Sequence, residues 1–457
     1  MCGICGISWT DKDLIKLMGN ACKHRGPEQE GFYLDDEISL CCERLRVMDL
    51  RDIGGQPIHN ENETVWAIQN GEIYNFKELK KELKDHGHEF QSEGDTEVLL
   101  AGYKIFGKEI LHKLIGQFAF VIADFKKRTI FMARDRIGLK PLYYSINENH
   151  LVFSSELNAI QKSGMVNFSP NKEGYLSYLR HLAIPGDETG NQSIKKVLPG
   201  EFIEVDFHGS YTKEIYWDPI NYISEEDISL SEAQEEFDNL LKSSIEYRKI
   251  SDVEVGLYLS GGLDSTLIGS LLSSDTKLKS FNVDYDEVFE GYKGELDEAK
   301  FSSEIINVDL IHKSITFDEF KNIIKEYPLL QDDLIGDEVG IPLYFLGKLA
   351  NKNGLKVVQV GEGADELFFG YDHWLRFVNL YKKIPKISNI SFGNIIESHR
   401  ANLIINILSN NNPFPGGAVG FNMSEIKNLA NFNITEKSSI INYSDNLWDL
   451  YSSKDDF

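Results

Sequence analysis

Three short stretches of this sequence carry residue types that could do chemistry. In Ser260-Gly261-Gly262-Leu263-Asp264-Ser265, two glycines let backbone amides approach an anion closely. The hydroxyls and carboxylate around them fall where a helix would begin, with its partial positive charge. That combination suits a phosphate group, although it is not a Walker A loop, which has more residues between its glycines and a Lys before the Ser/Thr. In Met1-Cys2-Gly3-Ile4, removal of Met1 would leave a thiol beside a free α-amine, whose ordinary pKa near ~8 lets it act as base for the adjacent nucleophile. In Gly361-Glu362-Gly363-Ala364-Asp365-Glu366, closely spaced carboxylates could bind the Mg²⁺ that neutralises nucleotide phosphates. A Gly-Gly turn with a helix cap, or a buried inert thiol, would be the plainer reading of the first two if they stood alone.

The elements that must position these residues can be read from patterning. Val255 to Leu259 reads as a strand before the phosphate loop, and the apolar run to Leu272 as a helix after it. Leu278 to Val283 and Leu355 to Val360 are further strands, with helices over Asp297 to Val308 and Pro342 to Ala350. Such alternation implies a parallel sheet with its ligand at the carboxyl ends of the strands, where Gly361 to Glu366 falls. Nearer the start, Thr64 to Gln69, Phe118 to Phe125, Thr129 to Ala133 and His150 to Ser154 alternate as strands, while Phe76 to His86 and Thr96 to Phe106 carry apolar residues at helical spacing. This half reads as an α/β/β/α sandwich. The pattern loosens from Leu198 through Pro219, and acidic residues gather from Ser224 to Asp227. Ser229 or Ser231 is placed to cap a helix running to Tyr247. We therefore expect a domain over 1–207, a linker over 208–230 and a second domain over 231–457. The Asn/Ile-rich stretch from Lys382 to Asn412 reads as surface helix and loop.

Bulk properties narrow the function classes. A length of 457 residues allows two or three domains with real cores, and 42% hydrophobic content fits a globular protein. A formal charge of −25 repels a polyanion, so nucleic acid is not an expected partner. No apolar run reaches the ~18 residues needed to span a bilayer, and no signal segment opens the sequence; the cytoplasm is the expected compartment. The five cysteines, Cys2, Cys5, Cys22, Cys41 and Cys42, suit neither a disulfide framework nor a zinc site. All but Cys2 read as small hydrophobes, Cys41 and Cys42 within a strand.

His24-Arg25-Gly26-Pro27, Glu43-Arg44-Leu45, Asn70-Gly71-Glu72-Ile73-Tyr74-Asn75, Gly94-Asp95-Thr96-Glu97 and Arg134 to Tyr144 follow the terminal Cys in the order seen in class II glutamine amidotransferases. About the first two hundred residues resemble that family. The resemblance implies an N-terminal-nucleophile (Ntn) hydrolase sandwich in which Cys2 attacks the glutamine side-chain amide. It also implies that Asn70 and the Gly71 amide form the oxyanion hole, that Arg44 holds the substrate carboxylate, and that Asp95 with Glu72 faces its ammonium. The Ser260 to Ser265 loop resembles the PP-loop of ATP pyrophosphatases. Together with Gly361 to Phe368 and Gly370-Tyr371, the whole chain resembles the glutamine-dependent asparagine synthetase family.

That resemblance implies a doubly wound parallel α/β adenine-nucleotide domain. Ser260, Gly261, Gly262, Asp264 and Ser265 would hold the pyrophosphate of ATP, Leu259, Val283 and Gly361 would line the adenine pocket, and Asp264 and Asp365 would bind Mg²⁺. Glu362 would lie near the adenylate and the incoming ammonia. The implied substrates are glutamine, ATP and aspartate or another carboxylate acceptor, and a homo-oligomer is compatible. Three positions depart from the family pattern: Val360 in place of Ser/Thr, Asp284 in place of Gly, and Phe369 in place of the first Gly of Gly-Gly-Tyr. Family members also continue beyond the position of Trp448-Asp449-Leu450 into an Arg/Lys-rich segment, whereas this sequence stops at Phe457. The resemblance thus implies a truncated chain, a second polypeptide that completes the site, or a glutaminase or nucleotide-binding protein that does not complete the synthesis.

Overall fold

The structure is a computed structural model and describes residues 1–147, 150–223, 228–273, 278–286, 294–337, 339–384, 408, 420, 421, 423–429 and 443–446. The acidic run at 224–227, most of the Lys382 to Asn412 stretch and Trp448 to Leu450 lie outside the described residues. Two compact units are present. The first comprises Met1–Phe168, Ser193–Phe320 and Tyr344–Val360; the second comprises Ser169–Gln192, Lys321–Leu343 and the described residues from Gly361 onward.

In the first unit the chain builds β1 (Gly3–Ile7), β2 (Gln29–Leu34) and β3 (Ser39–Arg44), then β4 (Ile58–His59), β5 (Val65–Ile73), β6 (Gly116–Asp124) and β7 (Thr129–Arg134). It continues with β8 (Tyr143–Asn147), β9 (His150–Ser154), β10 (Lys195–Lys196), β11 (Glu201–Asp206) and β12 (Tyr211–Ile215). These form two six-stranded sheets, ordered β10-β8-β9-β1-β3-β2 and β12-β11-β7-β6-β5-β4. Because strand side chains alternate between faces, each sheet feeds two cores. Ile4, Leu40 and Cys42 join Ile68, Val121 and Met132 between the sheets. Cys5, Ile7 and Cys41 turn the other way, onto Ile15, Met18 and Cys22 of the helix Lys12–Cys22. The far face of the second sheet packs Phe118, Phe120 and Phe131 against the helices Phe76–Asp85 and Asp95–Phe106. The layers therefore run helix, sheet, sheet, helix, as the patterning predicts.

Two boundaries differ from expectation. β5 continues past Gln69 to Ile73, because Asn70 and Gly71 stay in register with Ala119 and Phe118 of β6. Tyr211–Ile215, inside the stretch read as linker, pairs with β11 at the sheet edge. The helix that follows, Leu230–Lys249, begins at Ser229, whose hydroxyl accepts from the Glu232 amide while Glu232 accepts from the Ser229 amide. This reciprocal cap stabilises a helix start by roughly 1 kcal/mol.

The remaining strands of the unit, β13 (Val255–Tyr258), β14 (Lys279–Tyr285), β15 (Asp309–Ile315) and β16 (Val357–Gln359), are all parallel, in the order β15-β14-β13-β16. Leu257, Leu259, Leu272 and Leu278 make their core, with Phe281 packed on Leu355 and Ala350 from the opposite face. β13 lies inside this sheet and leads through Leu259 to Ser260. In the second unit the helix Lys172–His181 is joined by Gly420 and Phe421, whose amides donate to the Arg180 and Leu179 carbonyls. Arg180 also pairs with Asp445 at 3.0 Å.

Candidate active sites

Cys2 precedes β1, which lies between β9 and β3 in its sheet, so the thiol is held by a rigid element and is 92% shielded from solvent at 8% exposure. Its pKa is brought down to about 7, first by a hydrogen bond with the Cys42 thiol and then, against the effect of burial, by the neighbouring N-terminal charge. The Cys42 thiol moves the opposite way, as the partner that keeps its proton. The α-amine of Met1 is held below its ordinary value by burial, with Arg25 and Lys140 acting in the same direction; removal of Met1 would pass the terminal amine to Cys2. Arg25 donates through Nε to the Cys2 carbonyl at 3.1 Å. A thiol that ionises near neutrality beside an amine that is easily deprotonated is a competent nucleophile and base.

Asn70 is fully buried on β5, and neither its amide oxygen nor its nitrogen finds a hydrogen-bond partner among the described residues. An unpartnered buried amide is costly to a fold unless something else uses it. Next to it, Gly71 adopts φ +134, and a Cβ there would lie 1.9 Å from the Gln117 carbonyl oxygen; only glycine permits this approach of β5 to β6. Asp95 opens its helix and accepts hydrogen bonds from the Ile73 amide at 2.8 Å and from Gln69 Nε2 at 2.7 Å. Burial, then Glu72, raises its pKa to about 6. Glu72 also acts electrostatically on the Cys2 thiol, so Cys2, Glu72 and Asp95 share one locality.

Arg44 at the end of β3 is almost fully buried. Nη1 donates to Gln29 Oε1 at 2.8 Å and the Arg51 carbonyl at 3.3 Å, and Nη2 donates to the Met48 and Asp49 carbonyls at 2.9 and 2.7 Å. All four terminal hydrogens thus go to protein acceptors, and Nε–H is its remaining donor. Arg44 fixes the loop after β3 as much as it offers charge. Sequence reasoning passed over Cys42 as inert and gave Arg25 and Lys140 no part. For Cys42 the signal was strand parity: it shares the inter-sheet core with Cys2, whereas Cys5, Cys22 and Cys41 share the other.

At the second candidate site, β13 is followed by Leu259, whose amide donates to the Phe281 carbonyl. Ser260 Oγ accepts from the Gly262 amide at 3.2 Å and meets Ser265 Oγ at 3.0 Å, closing the loop against the first turn of the helix Leu263–Leu272, which also carries Asp264. Gly261 adopts φ +87 with its Cα against the helix Leu296–Ile305, where a Cβ would lie 2.4 Å from the Glu298 carbonyl carbon. Val283 stands on β14 directly after Asn282, whose side-chain amide donates to the Leu259 carbonyl at 3.0 Å. Asp284 accepts from the amides of Tyr285 and Glu295, so this departure from the family pattern ties β14 to the turn before the next helix. The loop thus offers a glycine-lined helix N-terminus to an anion.

In the second unit, Gly361 and Glu362 lead into the short helix Ala364–Phe368, which carries Asp365 and Glu366. Burial, then Glu366, Asp337 and Asp365, raises the Glu362 pKa. Four mutually repelling carboxylates are chemically suited to a hard divalent cation, yet among the described residues no three of them converge as a preformed metal cluster. The donor set would suit Mg²⁺ that arrives already bound to nucleotide phosphates. Phe369 caps the helix at φ +56, a left-handed conformation that explains why glycine is usual there. No described helix is long and apolar enough to cross a membrane.

Residues 1–217 match the glutamine amidotransferase domain family and residues 236–415 the asparagine synthase family. The Bacillus subtilis protein named asparagine synthetase (glutamine-hydrolyzing) 1 is 35% identical over 84% of this chain and 61% of its own. A Methanocaldococcus jannaschii relative, named provisionally for the same enzyme, is 32% identical over 85% of this chain and 80% of its own. Among solved structures, glutamine PRPP amidotransferase from B. subtilis superposes with a TM-score of 0.36 at 17% identity, over 68% of this chain and 65% of that one, too partial a likeness to argue from. The chain spans about three fifths of the length of the first of these relatives. It belongs to the glutamine-hydrolysing asparagine synthetase family.

Proposed function

We propose that the chain catalyses glutamine-dependent, ATP-driven amidation of aspartate to asparagine. The observation that carries this reading is the presence in one chain of an N-terminal thiol ionising near neutrality and a strand, Ser-Gly-Gly-x-Asp-Ser loop and helix. Once Met1 is removed, Cys2 attacks the glutamine amide carbon, its own α-amine takes and returns the proton, and Asn70 Nδ2 with the Gly71 amide receives the oxyanion. Loss of such a donor commonly costs ~100-fold or more in rate. Glu72 and Asp95 face the substrate ammonium, and Arg44 orders the loop beside the carboxylate. A glutamyl thioester forms, ammonia leaves, and water frees glutamate.

At the second site Ser260, Gly261, Gly262 and Ser265 hold the pyrophosphate of ATP, with Leu259, Val283 and Gly361 beside the adenine. Asp264 and Asp365 are the residues that would hold Mg²⁺ brought in with ATP, which would neutralise charge on the phosphates. The aspartate side-chain carboxylate attacks the α-phosphorus and pyrophosphate leaves, giving an acyl-adenylate whose AMP is a far better leaving group than oxide in the next step. Ammonia then displaces AMP; Glu362, with its raised pKa, is suited to take up a proton as nitrogen adds. Keeping ammonia away from water preserves its nucleophilic form.

The test is mass spectrometry of products after incubating the purified chain with glutamine, aspartate, ATP and Mg²⁺. Glutamate, asparagine, AMP and pyrophosphate are expected in equal amounts. Orthophosphate without pyrophosphate would sink the adenylate mechanism. Glutamate without AMP would assign a glutaminase alone, and AMP formation with a carboxylic acid other than aspartate would reassign the acceptor.

A further inference from the structure

A cavity of about 620 Å³ lies between the helix Phe76–Asp85 and the segment Lys249 to Asp252 that leads into β13. Five lysines line it, Lys77, Lys80, Lys81, Lys84 and Lys249, against the two carboxylates of Glu93 and Asp252, in a chain whose formal charge is −25. The helix places Lys77, Lys80, Lys81 and Lys84 on one face, at i, i+3, i+4 and i+7, while Phe76, Leu79 and Leu83 enter the core. Lys77 with Lys81 and Lys80 with Lys84 are like-charge pairs one turn apart, an arrangement that weakens a helix on its own. A merely solvated face would gain from alternating signs. Among the described residues none of Lys77, Lys81 and Lys84 makes an ion pair, and all three are exposed residues that line the cavity.

Lys80 is different: its side chain is only 10% exposed, and Nζ donates to the Ser92 carbonyl at 2.8 Å and to Glu93 Oε2 at 2.5 Å. The Glu93 side chain is 72% exposed, so a buried cation is satisfied by a carboxylate that an incoming anion can replace. We propose that this cavity is a binding site for a phosphate-bearing small molecule, separate from the Ser260 to Ser265 loop. Occupancy has a route to the glutamine site. The Glu93 amide donates to Asp49 Oδ2 at 2.8 Å, and Met48, in the cavity wall, and Asp49 accept from Arg44 through their carbonyls.

The test is acetylation footprinting of the full chain, read by mass spectrometry, with inorganic pyrophosphate against sodium chloride of equal ionic strength. Pyrophosphate is expected to slow labelling of Lys77, Lys81 and Lys84 at least fivefold and to leave the exposed Lys12 and Lys126 unchanged. Slowing below twofold, or equal slowing at Lys12 and Lys126, overturns the site. Parallel arms with ATP and AMP identify whether the phosphate is free or nucleotide-borne, by which protects at the lowest concentration. In the K77Q/K81Q/K84Q variant, protection of Lys80 and Lys249 should vanish while basal glutaminase activity is retained; protection that persists also overturns the site. A KM for glutamine that stays within 1.5-fold at saturating pyrophosphate would rule out the route through Asp49.

Discussion

The Asp252 carboxylate accepts a hydrogen bond from the Asp49 amide at 2.7 Å, across 203 residues of sequence. The Asp252 amide in turn donates to the Val47 carbonyl at 3.0 Å. This pair of bonds clamps the loop whose Met48 and Asp49 carbonyls hold Arg44, three residues before β13 begins. Asp252→Ala leaves the Asp49 amide without its acceptor, a loss of about 1–3 kcal/mol for a buried group. The expected result is a lower melting temperature and a KM for glutamine raised roughly three- to tenfold, with kcat little changed. Asp252→Asn keeps an acceptor and should fall between. Wild-type KM in the alanine variant would show that the clamp does not position Arg44.

Cys42 makes the largest contribution to bringing Cys2 to about 7. With Cys42→Ala the Cys2 pKa should rise toward the ordinary thiol range near ~8.5, so the thiolate fraction at pH 7 falls roughly tenfold. Glutaminase kcat/KM should drop by that factor at pH 7 and recover above about pH 9. Cys2→Ala should abolish glutaminase at every pH and spare ammonia-dependent turnover. A Cys42→Ala profile with an unmoved midpoint would show that the pairing of the two thiols is not what tunes the nucleophile.

Asp95 is an acid whose folded pKa, about 6, lies above its ordinary 3.8, with burial the main cause. The folded state therefore binds the proton more tightly than the unfolded chain does. Its contribution to stability is fullest below ~3.9 and is lost as pH rises through 6. Asp95→Asn keeps an acceptor for Ile73 and Gln69 without the buried charge. It should stabilise the fold at pH 7.5 by about 1 kcal/mol and give no gain at pH 4, by thermal unfolding. The same change should weaken glutamine binding at least tenfold if Asp95 faces the substrate ammonium. Equal melting temperatures at pH 7.5 would argue that water reaches this carboxylate.

How far the sequence carried can be judged residue by residue. Periodicity is a local property, so the strand and helix around Ser260 and the two helices at 76 and 95 were legible, and the serine cap was narrowed to Ser229 or Ser231. Asn70-Gly71 reads locally as a turn, and only the pairing with β6 keeps it extended, so the end of β5 was not legible. Cys42 was missed because a strand buried on both faces shows no polar alternation to reveal which neighbour shares its side. The Asp284 contact to the turn before Leu296–Ile305 and the cavity beside Lys80 depend on residues brought together from distant segments, which no window of sequence contains.

Gly261 offers the cleanest separation of the two chemistries. Its φ of +87 is open to glycine, and a Cβ would lie 2.4 and 2.5 Å from backbone atoms of Glu298 and Ala299. A helix backbone cannot yield as a flexible side chain can, so Gly261→Ala must displace the loop itself, at a strain of roughly 1–3 kcal/mol. Since phosphate binding depends on amides aimed at one point, ATP affinity should fall at least tenfold and AMP formation with it. Glutaminase activity measured without ATP should stay within twofold, because Cys2, Asn70 and Asp95 are held by the two antiparallel sheets and their helices. ATP binding at wild-type affinity in this variant, by isothermal titration calorimetry, would mean that the nucleotide does not use the Ser260 to Ser265 loop.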